Sequence, residues 1–384
     1  MAITICVQRN SKRVSVAVLC FTLVLISFYG TYMLADILQK RFTGGYLTNC
    51  DSSIQSNLNN RTELIIDPDQ KFMQRLNINM HNSLPADEIT EEAFRNNGPL
   101  KVENIIHQVW IGKTNDSFPV EFKKFVSSFK ANHPKYVYMF WTEKAAKSFV
   151  EDKFPNMLYF YENYVQNLQR ADAIRYMILH EYGGIYADLD IVSLRPLDPI
   201  LRKYFCIIAQ EPHFHPIFYN NFYGLASNAL MACRRHHPFM KIMVENLPSF
   251  SVFGDELDST GPRLVTLLHR NYVADNAQII ATDREGIYLA PPEYFMPSSD
   301  PTLKTRIEKK CATKNLNNLE LWACERFNKL GMGGPTNYTF TDHQWSHVFF
   351  SDLQNRKYIA IKDIVPDAKF YVSSHQSQAE QIKH

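Results

Sequence analysis

The stretch Leu168 to Val192, LQRADAIRYMILHEYGGIYADLDIV, constrains this chain more than any other part of it. Leu168, Ala171, Ile178 and Tyr182 recur at helical spacing, and Arg175 stands in the same stripe where an apolar residue is expected. A helix here carries an ionised group toward the core, with Asp172 one turn before it. Gly183-Gly184 supplies the permissive backbone that ends a helix. The residues that follow alternate, so that Ala187, Leu189 and Ile191 face one way along a strand while Tyr186, Asp188 and Asp190 face the other. Two carboxylates project together from one strand end.

What precedes this stretch sets its surroundings. Ile105 to Ile111 is a β-branched run ended by Gly112, a helix is expected from Val120 to Lys130, and a second strand from Tyr136 to Trp141. Helices around Glu143 to Glu151 and Tyr159 to Val165 lead into the central one. Such alternation predicts an α/β sandwich with a mostly parallel sheet, in which ligands bind beyond the carboxyl ends of strands. Trp110 and the pair Asp188/Asp190 both fall at such ends. No G-x-G-x-x-G follows the first strand and no Walker loop occurs, so a phosphate needs another holder, and a metal is the obvious one. Paired carboxylates suit Mg²⁺ or Mn²⁺, which keep coordination sites for the oxygens of a pyrophosphate and can neutralise charge on a departing nucleoside diphosphate. By itself D-x-D is a weak motif, frequent at exposed strand ends.

Composition bounds the rest. A hydrophobic fraction of 45% with 26 Phe and 20 Tyr excludes a chain disordered throughout, and 41 Lys+Arg against 39 Asp+Glu gives no electrostatic case for nucleic acid. Arg9, Lys12 and Arg13 precede Val14 to Ala35, an uncharged run of about 22 residues, long enough for roughly 30 Å of hydrocarbon. The sequence is therefore expected to hold a cytoplasmic tail over 1–13, a transmembrane anchor over 14–35, a polar stem over 36–100 and a folded domain over 101–384, with the membrane as partner of the anchor. The rival, a cleaved signal peptide, lacks a small-x-small site at the end of the run. The acceptor triplets at Asn60, Asn115 and Asn337 all follow the span. Of seven cysteines, Cys50, Cys206, Cys233, Cys311 and Cys324 fall in the oxidising compartment and leave at least one without an intrachain partner. Cys311 and Cys324 are the best local pair, and no C-x-x-C exists.

The run R-A-D-A-I-R-Y…G-G-I-Y-x-D-x-D resembles the DXD sugar-binding region of a glycosyltransferase family. That family includes fungal mannosyltransferases acting on inositol phosphoceramide or initiating outer N-glycan chains, animal α1,4-galactosyl- and α1,4-N-acetylglucosaminyltransferases and, more distantly, clostridial glucosylating toxins. The likeness extends back to I-H-Q-V-W-I-G at Ile106 to Gly112 and forward through Asn228, His236-His237-Pro238-Phe239, Thr260-Gly261-Pro262 and His343-Gln344-Trp345. It implies an α/β fold of the GT-A type, Rossmann-like and nucleotide-sugar-binding, and transfer with retention of anomeric configuration. Asp188 and Asp190 would bind Mn²⁺ (or Mg²⁺) with the donor diphosphate and ribose, Asp190 more directly. Asp172 and Arg175 would hold the hexose, Trp110 would stack on the base, and Asn228 would lie near sugar and acceptor. His343, a further metal ligand, and Trp345 would complete the donor site. GDP-mannose is the expected donor and a glycan or glycosphingolipid the acceptor, with a UDP-hexose as the alternative. A single-pass type II protein of the Golgi membrane, its domain lumenal, is the implied setting. His213 to Tyr223, unusually aromatic and His-rich, departs from the pattern on the acceptor side.

Each assignment has a plainer competitor. Asp172 and Arg175 could form only a buried ion pair, and Trp110 could be core. His213-x-His215 and His236-His237 have metal-like spacing between prolines. Tyr182 and Tyr186 read as packing residues, and Phe218 to Tyr223 as an acceptor platform or as core. A sugar-nucleotide-binding relative without activity keeps the same residues. A two-metal hydrolase or nuclease needs further ligands, and no clustered His/Asp set supplies them.

Overall fold

The computed structural model describes residues 98–112, 116–220, 224–347 and 356–373. All of them belong to the compact unit Met80–His384. The anchor over 14–35, the stem up to residue 97, Asn60, Asn115, Cys6, Cys20 and Cys50 lie outside the described residues. Among the described residues no helix is long and apolar enough to cross a membrane. Asn337 is exposed on the surface.

The order of elements is β1 (Ile105–Trp110), β2 (Ser117–Pro119), α1 (Lys123–Asn132), β3 (Val137–Thr142), α2 (Glu143–Lys153), α3 (Leu158–Asn163), α4 (Asn167–Tyr182), β4 (Gly184–Ala187) and β5 (Ile191–Ser193). There follow α5 (Asp198–Leu201), β6 (Cys206–Gln210), β7 (Ala226–Cys233), α6 (Pro238–Phe250), α7 (Glu256–Ser259), α8 (Pro262–Asp275), β8 (Tyr288–Ala290) and α9 (Pro292–Phe295). The last are α10 (Lys304–Cys311), α11 (Asn318–Leu330), β9 (Thr341–His343) and β10 (Tyr358–Ala360). The main sheet has six strands in the order β3-β1-β4-β7-β6-β8. β1 runs parallel to β3 and β4, and β6 to β8, whereas β7 is antiparallel to both its neighbours. The mostly parallel expectation becomes a mixed sheet with one reversed strand, because β7 follows β6 directly and no crossover helix turns it round.

Alternation in β1 divides the core. Ile106 and Trp110 join the cluster packed on α1 through Phe125, Val126 and Phe129. Val109 and Ile111 join the cluster on the other face, with Ile174 and Ile178 of α4 and Phe239 and Met243 of α6. Helix α4 lies inside that second layer and is buried on every side from Ala171 to Leu179, so the apolar stripe read from the sequence is too narrow. Its polar members, Asp172 and Arg175, must find partners within the protein.

The helix ends at Gly183 (φ 64°) and Gly184 (φ 98°). A Cβ at Gly183 would come within 2.0 Å of the Glu103 carboxylate and 2.4 Å of the Arg235 nitrogen, so the turn needs glycine for space as well as for its left-handed backbone. His107, wholly buried, fixes this turn. Its Nδ1 accepts from the Trp141 indole (3.2 Å), which leaves Nε2 as the donor to the Gly183 carbonyl at 2.9 Å.

The single strand expected through Val192 is broken. The Asp188 amide donates to the Ala229 carbonyl (2.8 Å), the Ile191 amide turns back to the Asp188 carbonyl (3.1 Å), and the chain leaves the main sheet as β5 to pair with β9. Ala187, Leu189 and Ile191 still share the first core cluster and Tyr186 the second, as the alternation required. Cys206 and Cys233, register partners in β6 and β7, form a disulfide, and so do Cys311 and Cys324, as expected. The latter staples α10 to α11 over a third cluster that contains Phe214, Ile217 and Phe218. Phe218 is therefore core, and the side chains of 219–223 lie outside the described set.

Candidate functional site

Beyond the carboxyl ends of β1 and β4 lies a cleft of about 690 Å³, measured with its open mouth. Trp110, Arg175, Asp188, Asp190, His343 and Trp345 all line it, so six residues singled out in the sequence meet in one place. Pairing of β5 with β9 causes the long-range part of this. Ile191 registers with His343, the Gln344 amide donates to the Asp190 carbonyl at 3.0 Å, and His343 Nε2 lies 3.3 Å from Asp190 Oδ1. The Ser346 amide donates to Asp190 Oδ2 at 2.9 Å and leaves Oδ1 toward the cleft.

Arg175 organises the floor. Its Nη2 meets Asp172 Oδ1 at 2.7 Å, Nη1 donates to the Asn228 carbonyl at 2.7 Å and lies 3.3 Å from Asp188 Oδ1, and its guanidinium sits 4.5 Å above the Tyr186 ring. Burial alone would weaken the Arg175 charge, but Asp188, Tyr186 and Asp172 raise its pKa overall. Asp172 is also held by Asn228 Nδ2 (2.9 Å) and Thr260 Oγ1 (3.0 Å). Its pKa is pushed up to about 6, mainly by burial, with Arg175 opposing and the Asp188 charge adding. The Asp188 carboxyl is raised as well, by burial first, against the pull of Arg175; the neighbouring Asp190 charge adds to the rise.

Asp172 and Asn228 stand behind the cleft lining. Both are nearly fully buried, and the Asn228 amide is committed to Asp172 and to the Tyr176 hydroxyl (3.0 Å). Trp110 is in the cleft wall but only 1% exposed, its ring edge-on to Phe122. Trp345 lines the same cleft, its indole donating to the Ser298 carbonyl at 2.7 Å and its ring packed on His343 and His215. Trp345 (φ 50°) and His347 (φ 48°) both hold left-handed backbone, strain of the kind that gathers where a site imposes its geometry.

Among the described residues, the one group of three or more ligand-type side chains able to surround a single ion is Asp188, Asp190 and His343, with ligand atoms within 4.8 Å of one another. Two carboxylates and one imidazole fit a hard divalent cation such as Mn²⁺. His343 Nδ1 accepts from the Trp345 amide at 3.0 Å, which assigns the ring proton to Nε2, so ligation through Nε2 requires that proton to move. The alternative histidine sets do not assemble. His215 is engaged on both nitrogens, by Glu211 and by the Asp300 amide, and His237 Nδ1 accepts from the Phe239 amide at the start of α6. Tyr182 packs among His107, Trp141 and Phe149 as expected.

Four contributors were not assigned from the sequence. The Tyr186 hydroxyl donates to Asp188 Oδ1 at 2.5 Å, so this residue does more than pack. Gln108 donates to the Asp188 carbonyl at 3.2 Å, and Thr260 to Asp172. His347 lines the mouth and pairs with Asp300 at 2.7 Å. Burial would raise the Asp300 carboxyl, but its bonds from Thr302 and His347 hold it below the ordinary value. Gln108 and Thr260 fall in the resembling runs, and Tyr186 shares its face with Asp188; nothing local marks His347.

Residues 119–206, which carry Asp172, Arg175, Asp188 and Asp190, match the family described as the glycosyltransferase sugar-binding region containing DXD motif. The chain is 32% identical over 190 residues to inositol phosphoceramide mannosyltransferase 3 of Schizosaccharomyces pombe, covering 48% of this chain and 49% of that protein. It is 33% identical over 195 residues to a mannosyl phosphorylinositol ceramide synthase of Saccharomyces cerevisiae, covering 48% and 47%. The chain spans about half the length of these curated relatives. Among solved structures, the PaToxG glycosyltransferase superposes with a TM-score of 0.36 at 18% identity, covering 50% of this chain and 79% of that one.

Proposed function

We propose that this protein is a metal-dependent, retaining glycosyltransferase of GT-A type that moves mannose from GDP-mannose to a glycosphingolipid or glycan acceptor. The observation that carries the reading is the convergence of Asp188, Asp190 and His343 on one point of a cleft floored by Arg175. The choice of mannose and of a lipid-linked acceptor rests on the names of the fungal relatives. A Golgi membrane setting, with residues 14–35 as anchor and the domain lumenal, belongs to the same reading.

A bound Mn²⁺ would be held by Asp188, Asp190 and His343, and would supply positive charge where a diphosphate leaves. The chain's own part is positioning. Arg175, fixed by Asp172, Asp188 and two backbone carbonyls, presents a charge that cannot rotate away, which suits both sugar hydroxyls and diphosphate oxygens. Trp110 and Trp345 bound the space for base and ribose. Asn228 acts by holding Asp172. Among the described residues the carboxylates lining the cleft are Asp188 and Asp190, both assigned to the ion, and attack from the leaving-group face is the route to retention that needs no third carboxylate.

The test is a panel of nucleotide sugars with Mn²⁺, following hydrolysis without acceptor. GDP-mannose should turn over, and Asp188→Ala and Asp190→Ala should each reduce the rate by about 10³-fold or more. Turnover that survives both substitutions overturns the reading. Preference for a UDP-hexose redirects it to that donor, and binding without turnover marks an inactive relative.

A further inference from the structure

A second concavity, of about 970 Å³, lies at the opposite end of the sheet. Among the described residues, Lys101, Arg202, Arg234, Arg235 and Arg284 line it with a single carboxylate, Glu103. Topology gathers them. Lys101 precedes β1, Arg202 precedes β6 and Arg284 precedes β8, while Arg234 and Arg235 follow β7, whose reversed direction brings its carboxyl end to the amino ends of the others. Along β7 this is roughly 20 Å from the Asp188 end of the sheet, so the concavity is not an extension of the first cleft.

Among the described residues its charges are only partly compensated. Arg235 pairs with Glu181 at 3.1 Å and Arg202 reaches Asp198 only at 4.0 Å. Lys101 donates to the Lys203 carbonyl at 2.8 Å, and Arg234 to the carbonyls of Arg284, Arg235 and His236. Backbone carbonyls satisfy hydrogens but do not cancel a full charge. Burial, and then the facing Arg284, hold the Arg234 guanidinium below its ordinary pKa, although Glu285 and Glu103 oppose this. Arg284 is exposed at the rim, where its fork can meet an incoming ligand. Like charges kept together around a hollow favour a compact dianion, since guanidinium groups bind phosphate oxygens in paired bonds.

We propose that this basic cleft is a binding site for a phosphate group, either a free phosphate or diphosphate or the phosphate headgroup of an anionic lipid. The proposal stands independently of the reaction at the other end of the sheet. The full chain in neutral detergent, with EDTA present, is titrated calorimetrically with inorganic phosphate, pyrophosphate, short-chain phosphatidic acid and, as a zwitterionic control, short-chain phosphatidylcholine. Saturable binding of at least one phosphate probe is expected, weakened roughly tenfold by Arg284→Gln and by a smaller factor by Arg284→Lys, which keeps the charge but loses the paired bonds of the fork. Binding of phosphatidic acid well above inorganic phosphate, with none of phosphatidylcholine, identifies the lipid source; equal or better binding of pyrophosphate identifies the soluble one. Binding indifferent to Arg284→Gln belongs elsewhere and overturns the proposal. So does an absence of saturable binding, the result expected if Asp87, Glu88, Glu91 and Glu92, which precede this region in sequence, already neutralise it.

Discussion

Tyr186 joins two groups that the sequence presented separately, since its ring lies under Arg175 and its hydroxyl donates to Asp188 at 2.5 Å. Tyr186→Phe keeps the ring and removes one bond to the carboxylate. The Mn²⁺ concentration giving half-maximal donor hydrolysis should rise about tenfold or more, as loss of a partner to a metal ligand usually costs. An unchanged metal dependence would show that Asp188 does not need the hydroxyl. Asp172 gives a pH prediction. Its carboxyl must be ionised to anchor Arg175, so donor affinity should fall by up to about tenfold per pH unit below about 6, and Asp172→Asn should flatten that limb. The sign for stability is opposite. A carboxyl whose folded pKa lies above its unfolded value favours the fold at low pH, and that contribution disappears as pH rises from the unfolded value to about 6.

At the scale of elements, β1 and the glycine turn hang on neutral histidine. His107 is held down to about 4 by burial, with its bond to the Gly183 carbonyl opposing, and burial holds His237 at the start of α6 down to about 3. Both protonate more readily in the unfolded chain, so stability is fully present above about 6.5 and is lost as pH falls below it. At pH 5 each should cost on the order of 2 kcal/mol. Denaturant unfolding between pH 7 and 4.5 checks this, and His107→Asn should remove only its own share of the dependence, since burial also holds His213 and His269 down to about 4. The loop closed by Cys311 and Cys324 has a sequence separation of 13, for which chain entropy predicts roughly 3 kcal/mol of stabilisation. Replacing both by Ser should loosen α10 and α11 in hydrogen exchange while donor hydrolysis persists, since neither cysteine lines the cleft. Loss of hydrolysis would mean that the third core cluster also supports the site.

For the whole molecule, a cation held by residues of the turn after β4 and of β9 would tie together segments more than 150 residues apart in sequence. Mn²⁺ at 100 times its dissociation constant should add about 2.7 kcal/mol, several degrees in Tm, and Asp190→Ala should abolish the shift. A Tm indifferent to Mn²⁺ would remove the metal from the proposal. The alternation of strand and helix, the glycine stop, the facing of Tyr186, Asp188 and Asp190, and the Cys311–Cys324 pair were all legible in the sequence. Each depends on a backbone period or on a short loop, so a local pattern suffices to specify it. What only the tertiary structure decided is everything that depends on register between distant strands. The β5–β9 pairing sets His343 against Asp190, the reversal of β7 puts Asn228 beside Asp172 and Arg234 beside Arg284, and the layer around α4 buries it on all sides. A local period fixes which way a side chain faces, but which partner it meets is fixed by packing across the chain, and the sequence carries no nearby signal for that.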